Sequence, residues 1–326
     1  MKAILCRRPG RPEALELDEI DRPTIADDGV LVRVHAASVN PVDFFPLSGV
    51  AYTARLLSGG FKAKPVVLGT DFAGTVEAVG KDVTEFKPGD EVFGGKDRST
   101  FAEYVSIPAK GAVVAKPANV SFEQAAAVPV AAITALQAIR DHGRVHQGQK
   151  VLINGASGGV GSFAVQIAKA FGAHVTAVCS PRNAETARAL GADRIIDYAR
   201  EDFTRGAESY DLIIDIAGNH SWSECKRVLA TTGIMVAAGG SAHTVWGGGR
   251  TIRHLMGVRL ASIRGTRKVA LFIAKLNKAD LLFLAKLIAE GEVTPVIDRC
   301  YELNRVPEAF NYMGEGHAKG KIIITV

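Results

Sequence analysis

The glycine-rich stretch INGASGGVGSFAVQ, residues 153–166, restricts the fold more than any other part of this chain. An apolar run leads into the glycines, and an amphipathic helical sequence follows them. The spacing Ala156-x-Gly158-x-x-Gly161, with alanine in place of the usual first glycine, is typical of the strand-to-helix turn that binds a dinucleotide pyrophosphate. N–H groups at a helix start attract phosphate, and Gly161 lets helix and strand pack closely. We predict a dinucleotide site; the alternative is a tight turn without a ligand.

Strand-like and helix-like segments alternate from Lys150 onward, so the glycine-rich stretch opens a longer pattern. Runs rich in Val, Ile, Leu and Ala are separated by amphipathic helical sequences. This alternation predicts a parallel sheet covered by helices on both faces. Ser221 and Glu224 form a capping box, which predicts the start of one of these helices.

The chain before residue 121 consists of short strand-like segments separated by Pro and Gly clusters, which predicts an antiparallel, barrel-like β domain. A helical region then begins, because Ser121 and Gln124 form a capping box, and Gly143 stands where a helix would end. Pro129 predicts the start of a second helix inside this region. The last part of the chain predicts a helix over about 278–289, a strand at DRCYEL, a short helix beginning at Pro307 and a final strand at KIIITV.

Composition narrows the functional classes. The chain has 326 residues, 47% of them hydrophobic, which is enough for two domain cores. Its net charge of +5 is scattered along the chain, so we do not expect nucleic acid as a partner. The four cysteines form no close pair, which favours a reducing compartment, and we predict the cytoplasm. The uncharged windows 151–168 and 228–249 are broken by polar residues, and we predict no membrane span.

The end of the second predicted strand of the sheet, HVTAVCSPRN, indicates which dinucleotide binds. An NAD site normally places Asp or Glu there, on the ribose hydroxyls, and this segment has no acidic residue. Ser180 can donate a hydrogen bond to a 2′-phosphate, and Arg182 can neutralise the phosphate charge. We therefore predict NADPH as the cofactor. Alternatively, Ser180 and Asn183 form only a turn and a helix cap, with Arg182 in solvent.

Eight segments, taken in order, carry a resemblance over nearly the whole chain: SVNPVDFFPLSG, LGTDFAGTVEAVG, KPGDEVFG, FAEYVSIP, AAITALQAI, GASGGVGSFAVQIAKAFGAHVTAVCSPRN, LGADRIIDY and HAKGKIIITV. They resemble the medium-chain dehydrogenase/reductase superfamily, and more narrowly its zinc-free quinone oxidoreductase branch. The resemblance implies an α/β fold with a Rossmann doubly wound parallel sheet domain and a GroES-like antiparallel β-barrel domain built from both chain ends. It also implies a cofactor between the domains and a homodimer. The expected boundaries are 1–122 and 263–326 for the catalytic domain and 123–262 for the NADPH-binding domain.

Zinc-dependent relatives in the superfamily carry a Cys after the second barrel strand, a Gly-His-Glu segment and a four-cysteine lobe. At the first two places this sequence has Asn40-Pro41-Val42-Asp43 and Gly69-Thr70-Asp71, and no lobe interrupts VFGGKDRSTFAEY. We therefore expect no zinc site of the family type. His142 and His146 have the i,i+4 spacing of metal ligands but lack an acidic third ligand, and we interpret them as surface histidines.

The resemblance also implies site residues. Asn40 is expected to be catalytic and to lie near the nicotinamide, with Tyr52 and Lys64 as candidate donors to the substrate oxygen. The cofactor-binding residues implied are Asn40, Thr134, Ser157, Gly158, Gly159, Val160, Ser180, Arg182, Tyr198, Ala217, Gly218, Gly239, Lys319 and Lys321. Each has a plainer interpretation: Asn40 and Asp43 could form only a turn, Tyr198 could edge the core, and the two lysines could be solvated.

Chemistry without a metal favours a particular class of acceptor. Reduction of a simple ketone creates an alkoxide, which zinc relatives stabilise through the metal. Enones and quinones delocalise the charge that arrives with a hydride, so they need only positioning and a few hydrogen-bond donors. We therefore expect an NADPH-dependent quinone or enone reductase. The alternatives are an NADPH-binding redox sensor or RNA-associated protein without turnover and, less well supported, a zinc-dependent alcohol dehydrogenase.

Overall fold

A computed structural model describes residues 1–48, 65–238 and 268–326. The chain forms two compact units. Unit 1 comprises residues 1–130, 276–291 and 295–326, and unit 2 comprises residues 131–275 and 292–294. The chain thus passes from unit 1 to unit 2 after residue 130 and returns to unit 1 after residue 275. The boundaries predicted from the sequence were after residues 122 and 262. The helical segment that starts at Ser121 accordingly belongs to the β unit up to Val130.

Unit 2 is built on a parallel sheet, as the alternating pattern predicts. Its six strands in the described residues lie in the order β11-β10-β9-β12-β13-β14, the doubly wound order of a Rossmann domain. The strands are β9 (Lys150–Asn154), β10 (His174–Cys179), β11 (Arg194–Asp197), β12 (Tyr210–Asp215), β13 (Leu229–Ala237) and β14 (Lys268–Leu271). An apolar core that includes Leu152, Val178, Ile213 and Met235 stabilises this sheet.

Unit 1 contains the antiparallel sheet of a GroES-like domain. The strands of unit 1 are β1 (Lys2–Cys6), β2 (Leu15–Glu19), β3 (Gly29–Ser38), β4 (Val66–Val67), β5 (Asp71–Val79), β6 (Glu91–Gly95), β7 (Tyr104–Pro108), β8 (Val113–Ala115), β15 (Ile297–Glu302) and β16 (Lys321–Thr325). Three of them form a small antiparallel sheet in the order β2-β1-β4. The main sheet has the order β15-β16-β3-β5-β6-β8, with β7 also paired to β3, and its pairs are antiparallel except for the parallel pair of β15 and β16. The final strand β16 therefore lies beside β3, although the two are far apart in sequence.

The predicted helix starts are confirmed. The helices are α1 (Phe122–Ala126), α2 (Pro129–Leu136), α3 (Gly159–Ala170), α4 (Ala184–Ala189), α5 (Trp222–Cys225), α6 (Lys278–Ala289) and α7 (Val306–Gly314). Capping boxes open α1 at Ser121 and α5 at Ser221. A π-helical turn over Gln137–His142 follows α2 and ends at Gly143. In the three described ranges no helix is both long and apolar enough to cross a membrane.

Candidate active site

The glycine-rich turn connects β9 to α3, as predicted. A Cβ atom added at Gly161 would lie 2.1 Å from the Gly155 carbonyl oxygen, so the helix approaches the turn too closely for any side chain. At Gly158, the N-cap of α3, the nearest atom to an added Cβ would be 3.7 Å away. The fold itself therefore requires glycine at position 161, whereas position 158 has room for a Cβ atom in ordinary van der Waals contact. Ser157, Gly158, Gly159 and Val160 are all half-buried at this helix start.

Two buried side chains join the carboxyl ends of β9 and β12, the two central strands of the sheet. Asn154 Nδ2 donates to Asp215 Oδ1 at 2.8 Å and to Asn219 Oδ1 at 2.7 Å. The Gly218 N–H donates to the same Asp215 oxygen at 2.9 Å. Ala217 and Gly218 are exposed just beyond β12. Doubly wound sheets bind their ligands at this point, where the strand order reverses, so the structure brings Ala217 and Gly218 to the edge that the prediction requires.

Ser180 follows β10 directly and is buried, and its hydroxyl oxygen has no hydrogen-bond partner within the described part of the chain. A buried hydroxyl without a partner is costly, which indicates a site for a polar ligand. Arg182 and Tyr198 are exposed, and the Tyr198 N–H donates to Cys179 O at 3.4 Å, which places the tyrosine beside the end of β10. The exposure of Tyr198, 59%, excludes the core-edge interpretation. Ser180, Arg182 and the open turn at Gly158 therefore fit a phosphorylated dinucleotide.

The remaining predicted cofactor residues lie in different settings. Thr134 is buried in α2. Lys319 is exposed, and its backbone N–H donates to Asp298 Oδ2 at 2.8 Å. Lys321 is buried in unit 1 and contacts Asn40, as described below. Tyr52, Lys64 and Gly239 lie outside the described residues.

Six polar side chains, all buried, meet where β3, β5 and β16 lie side by side in unit 1. We call this group the buried polar cluster; its members are Ser38, Asn40, Asp43, Thr70, Asp71 and Lys321. The strand register explains the assembly, because Ser38 of β3 pairs with Asp71 of β5 on one side and with Ile323 of β16 on the other. The residues that stand at the zinc-ligand segments of the family's metal-dependent members are thus brought together here.

Hydrogen bonds connect every member of the buried polar cluster. Asp71 Oδ2 accepts from Ser38 Oγ and from Asn40 Nδ2, both at 2.8 Å, and Asp71 Oδ1 accepts from the Val130 N–H at 3.0 Å. Lys321 Nζ donates to Asn40 Oδ1 at 2.5 Å and lies 3.8 Å from Asp71 Oδ2. Buried charges are tolerated when they are paired and hydrogen-bonded, and these are.

Asp43 closes the turn that follows Asn40. Its Oδ2 accepts from the Asn40 N–H at 2.8 Å, and its Oδ1 accepts from Thr70 Oγ1 at 2.7 Å. This is the turn-forming role weighed for Asp43 in the sequence. Burial raises the pKa of Asp43 to about 7, the Thr70 bond opposes the rise, and the Asp71 carboxylate adds to it.

The charged pair at the centre of the cluster responds to burial in opposite directions. Burial raises the pKa of Asp71 above its ordinary value, although Lys321 and the bonds from Asn40 and Ser38 oppose the rise. Burial lowers the pKa of Lys321 below its ordinary value, although Asp71 and Asp43 oppose the fall. Because the two groups favour each other's charged form, we interpret them as an ion pair.

We expect the pH dependence of stability to reveal Asp43. Its pKa is about 7 in the folded chain, against 3.8 for an ordinary aspartate, so the folded chain holds a proton that the unfolded chain releases. This stabilisation is present in full below about pH 4 and is lost as pH rises through 7. From pH 5 to pH 7 the wild-type free energy of unfolding should fall by about 2 kcal/mol relative to Asp43→Asn. Urea unfolding across that range measures the difference; parallel curves would contradict the assignment.

A short 3₁₀ helix, Pro41–Leu47, follows Asn40 and carries an apolar face that the sequence reasoning missed. Val42 and Phe45 are 50% and 52% exposed. Residues three apart share a face of a 3₁₀ helix, so the two form one apolar surface immediately after Asn40. The signal for this surface in the sequence is weak, since two apolar residues at this spacing are equally typical of a buried helix. Ser38, Thr70 and Asp71 were also missed as site residues.

In the described residues, no group of three or more His, Cys, Asp or Glu side chains is arranged to hold a metal ion. Of the two histidines considered as ligands, the ring of His142 packs against Phe272 with centroids 4.3 Å apart. In the buried polar cluster, the acceptor oxygens of Asp43 and Asp71 already receive protein donors.

Comparisons with known proteins agree with this architecture. The family model for the alcohol dehydrogenase GroES-like domain matches residues 26–118, and the model for zinc-binding dehydrogenase matches residues 190–324. NAD(P)H oxidoreductase RTN4IP1, mitochondrial, of Mus musculus is 36% identical, covering 91% of this chain and 81% of that protein. The chloroplastic quinone-oxidoreductase homolog of Spinacia oleracea is 32% identical, with coverages of 97% and 95%. The 2-methylene-furan-3-one reductase of Solanum lycopersicum is 34% identical, with coverages of 99% and 79%.

Solved structures give the same result. The quinone oxidoreductase from Coxiella burnetii has a TM-score of 0.85 and 32% identity, covering 100% of this chain and 99% of that one. The Escherichia coli quinone oxidoreductase complexed with NADPH has a TM-score of 0.81 and 25% identity, with both chains fully covered at 100%. Fold, matched domains and relatives together place this chain in the medium-chain dehydrogenase/reductase superfamily of oxidoreductases. Within that superfamily it belongs to the zinc-free quinone oxidoreductase branch.

Proposed function

We propose that this protein is an NADPH-dependent, zinc-independent oxidoreductase that transfers a hydride to a quinone or an α,β-unsaturated carbonyl compound. The observation that carries the proposal is the edge of the parallel sheet in unit 2. There, an open glycine turn follows one strand, and the buried hydroxyl of Ser180, without a partner among the described residues, follows its neighbour. A turn and a hydroxyl in these positions suit a pyrophosphate and a 2′-phosphate respectively. The names of the relatives, as quinone, NAD(P)H and furanone oxidoreductases, support the same chemistry.

The proposed cofactor site uses the residues at that edge. The start of α3, from Ser157 to Val160, would hold the pyrophosphate, and Ser180, Arg182 and Tyr198 would surround the adenosine phosphate. Thr134, Ala217, Gly218, Gly239 and Lys319 remain proposed cofactor residues. Lys321, predicted with them, is not retained, because its ammonium group is buried against Asn40 and Asp71. When bound, the reduced nicotinamide supplies a hydride, and the protein contributes orientation and electrostatics.

The proposed acceptor is conjugated and apolar. An enolate or a hydroquinone anion spreads its own charge, so binding and a few polar groups suffice to stabilise it. The exposed apolar face of Val42 and Phe45, directly after Asn40, suits a flat apolar ring or enone. Asn40 is the proposed catalytic residue, with Tyr52 and Lys64 as proposed donors.

A panel of acceptors tests the proposal. Purified protein is mixed with NADPH or NADH and a series of quinones, enones and simple ketones, and nicotinamide absorbance is followed. We expect NADPH oxidation with quinones or enones, little with ketones, and a large loss of rate in Asn40→Ala. Titration calorimetry with NADPH serves as the control for binding. NADPH binding with no turnover on any acceptor would favour the redox-sensor or RNA-associated alternative and overturn the proposal.

Arg182 should determine the preference for NADPH over NADH. The expected result for Arg182→Ala is a loss of about 1.5–3 kcal/mol in NADPH binding, because a charged hydrogen bond to the 2′-phosphate disappears. NADH affinity should be nearly unchanged. Arg188→Ala is the matched control, since Arg188 is an exposed arginine in α4 and the substitution removes the same charge. Equal losses for both cofactors in Arg182→Ala would reject the phosphate assignment.

A homodimer and a cytoplasmic location complete the proposal. Strand β14 lies at the edge of the described sheet, and the side chains of Leu271, its last residue, and Ile273, which follows it, are 50% and 90% exposed. Exposed apolar residues at a sheet edge are typical of an interface. Light scattering should therefore give about twice the chain mass of 34.5 kDa. The names of several relatives are mitochondrial or chloroplastic, so fractionation of the native cells is the test of location.

A further inference from the structure

Lys321 is a buried lysine that the proposed chemistry does not use. Its side chain is 4% exposed, at the first position of β16. The preceding Gly320 has a φ of +106°, and a Cβ there would lie 2.4 Å from the Val296 carbonyl oxygen, so the backbone fixes where β16 begins. The ammonium group is thus held in the interior of unit 1 by the fold.

The ammonium group of Lys321 is directed at Asn40. Nζ donates to Asn40 Oδ1 at 2.5 Å and to the Val39 carbonyl oxygen at 3.2 Å. Asp71 Oδ2 lies 3.8 Å away and balances the charge. Lys321 therefore contacts Asn40, the candidate catalytic residue, and the neighbouring Val39 backbone. It also lies near Asp71, which accepts a hydrogen bond from Asn40 as well.

The Asn40 amide is held from both ends by groups with fixed roles. Its Nδ2 donates to Asp71 Oδ2 at 2.8 Å and to the Ser38 carbonyl oxygen at 3.2 Å. A lysine ammonium only donates and an aspartate carboxylate only accepts, so rotation of the amide by 180° would oppose donor to donor and acceptor to acceptor. Lys321 and Asp71 together permit one orientation. Both Nδ2 hydrogens are used inside the protein, and Oδ1 keeps one lone pair.

We propose that Lys321 is a positioning residue: it fixes the Asn40 amide so that this residue meets a ligand through its carbonyl oxygen, as a hydrogen-bond acceptor. The role of Asn40 in turnover rests on the proposed function. The orientation of its amide rests on the hydrogen bonds described above. A hydroxyl or carboxamide N–H of the bound partner is the group that such an acceptor would take. Lys321 itself touches neither cofactor nor substrate in this assignment.

A double-mutant cycle tests whether Lys321 acts through Asn40. The variants are Lys321→Met, Asn40→Ala and the double variant, assayed for NADPH oxidation with the best quinone or enone of the panel. Lys321→Met should lower kcat/KM roughly 10- to 100-fold in the wild-type background, because the amide loses its fixed orientation. In the Asn40→Ala background the same change should have less than about a twofold effect. Equal effects in both backgrounds, or full activity of Lys321→Met, would overturn the proposal.

Lys116→Met is the matched control. The side chain of Lys116, also in unit 1, is 6% exposed; its Nζ donates to the Val120 carbonyl oxygen at 2.7 Å and lies 3.1 Å from Glu91 Oε2. It has no described bond to Asn40. Lys116→Met should lower the melting temperature but leave kcat/KM within about twofold of wild type. If Lys116→Met lost as much activity as Lys321→Met, the loss would reflect the removal of a buried lysine from unit 1 and not the contact with Asn40.

Two further measurements keep the test decisive. If Lys321→Met does not fold, Lys321→Gln replaces it, because its amide can still donate to Asn40 Oδ1; it should keep more activity than Asn40→Ala. The same cycle read as melting temperature needs no turnover: Lys321→Met should lower Tm less in the Asn40→Ala background than in wild type. A wild-type protein without turnover would reject the proposed function alone. Additive Tm shifts would reject the coupling of Lys321 to Asn40.

Discussion

Asp71→Asn is expected to lower the free energy of unfolding by about 3–5 kcal/mol, because it leaves the buried Lys321 ammonium without its counter-charge. Asp71 is fully buried, and its two carboxylate oxygens accept three hydrogen bonds, from Ser38, Asn40 and Val130. An asparagine in the same place must turn an N–H₂ group toward one of these donors. Urea denaturation at pH 7, monitored by circular dichroism, measures the loss.

Two comparisons identify the charge as the cause of this loss. Glu16→Gln removes an exposed partner of Arg7 in the same unit, and its effect on the free energy of unfolding should be small compared with that of Asp71→Asn. The double variant Asp71→Asn with Lys321→Met removes both buried charges and should recover part of the stability lost in Asp71→Asn alone. If the double variant were as unstable as the sum of the two single variants, Asp71 and Lys321 would not act as a pair.

Local sequence signals predict the elements of this fold well. The capping boxes at Ser121 and Ser221 involve residues three positions apart, so each can be recognised in a short window. The alternation of apolar runs with amphipathic helices predicts the parallel sheet in the same way. The domain boundary is a different case: α1 packs in unit 1 and Val130 donates to Asp71, and no local pattern records these contacts.

The buried polar cluster shows why the candidate site is harder to predict. Asn40 is 31 positions from Asp71 and 281 positions from Lys321 in sequence. Their meeting depends on the register of β3 with β5 and β16, which is set by tertiary packing. The family resemblance indicated Asn40 and Lys321 separately, as residues near a cofactor. It contained no information that the lysine binds the asparagine, because a motif records residue types and not the contacts between distant segments.

The same substitution should have a large effect on stability at one glycine of the dinucleotide turn and a small effect at the other. Gly161→Ala is expected to cost more than about 3 kcal/mol of unfolding free energy, because its Cβ would lie 2.1 Å from the Gly155 carbonyl oxygen and the backbone must move. Gly158→Ala should change the stability by less than about 1 kcal/mol. Its φ of −79° suits any residue, and the nearest atom would be 3.7 Å away.

Cofactor binding, unlike stability, should be sensitive to the substitution at position 158. If the pyrophosphate rests on the start of α3, a methyl group at Gly158 occupies the space the phosphate needs, and NADPH affinity should fall roughly 10-fold or more. Calorimetry on folded Gly158→Ala, with urea denaturation as the control for stability, separates binding from folding. Unchanged NADPH affinity in this variant would show that position 158 is open for a reason other than the cofactor. A methyl group that weakens binding while leaving folding intact would show that the ligand needs glycine at position 158, because the packing of the protein alone does not require it there.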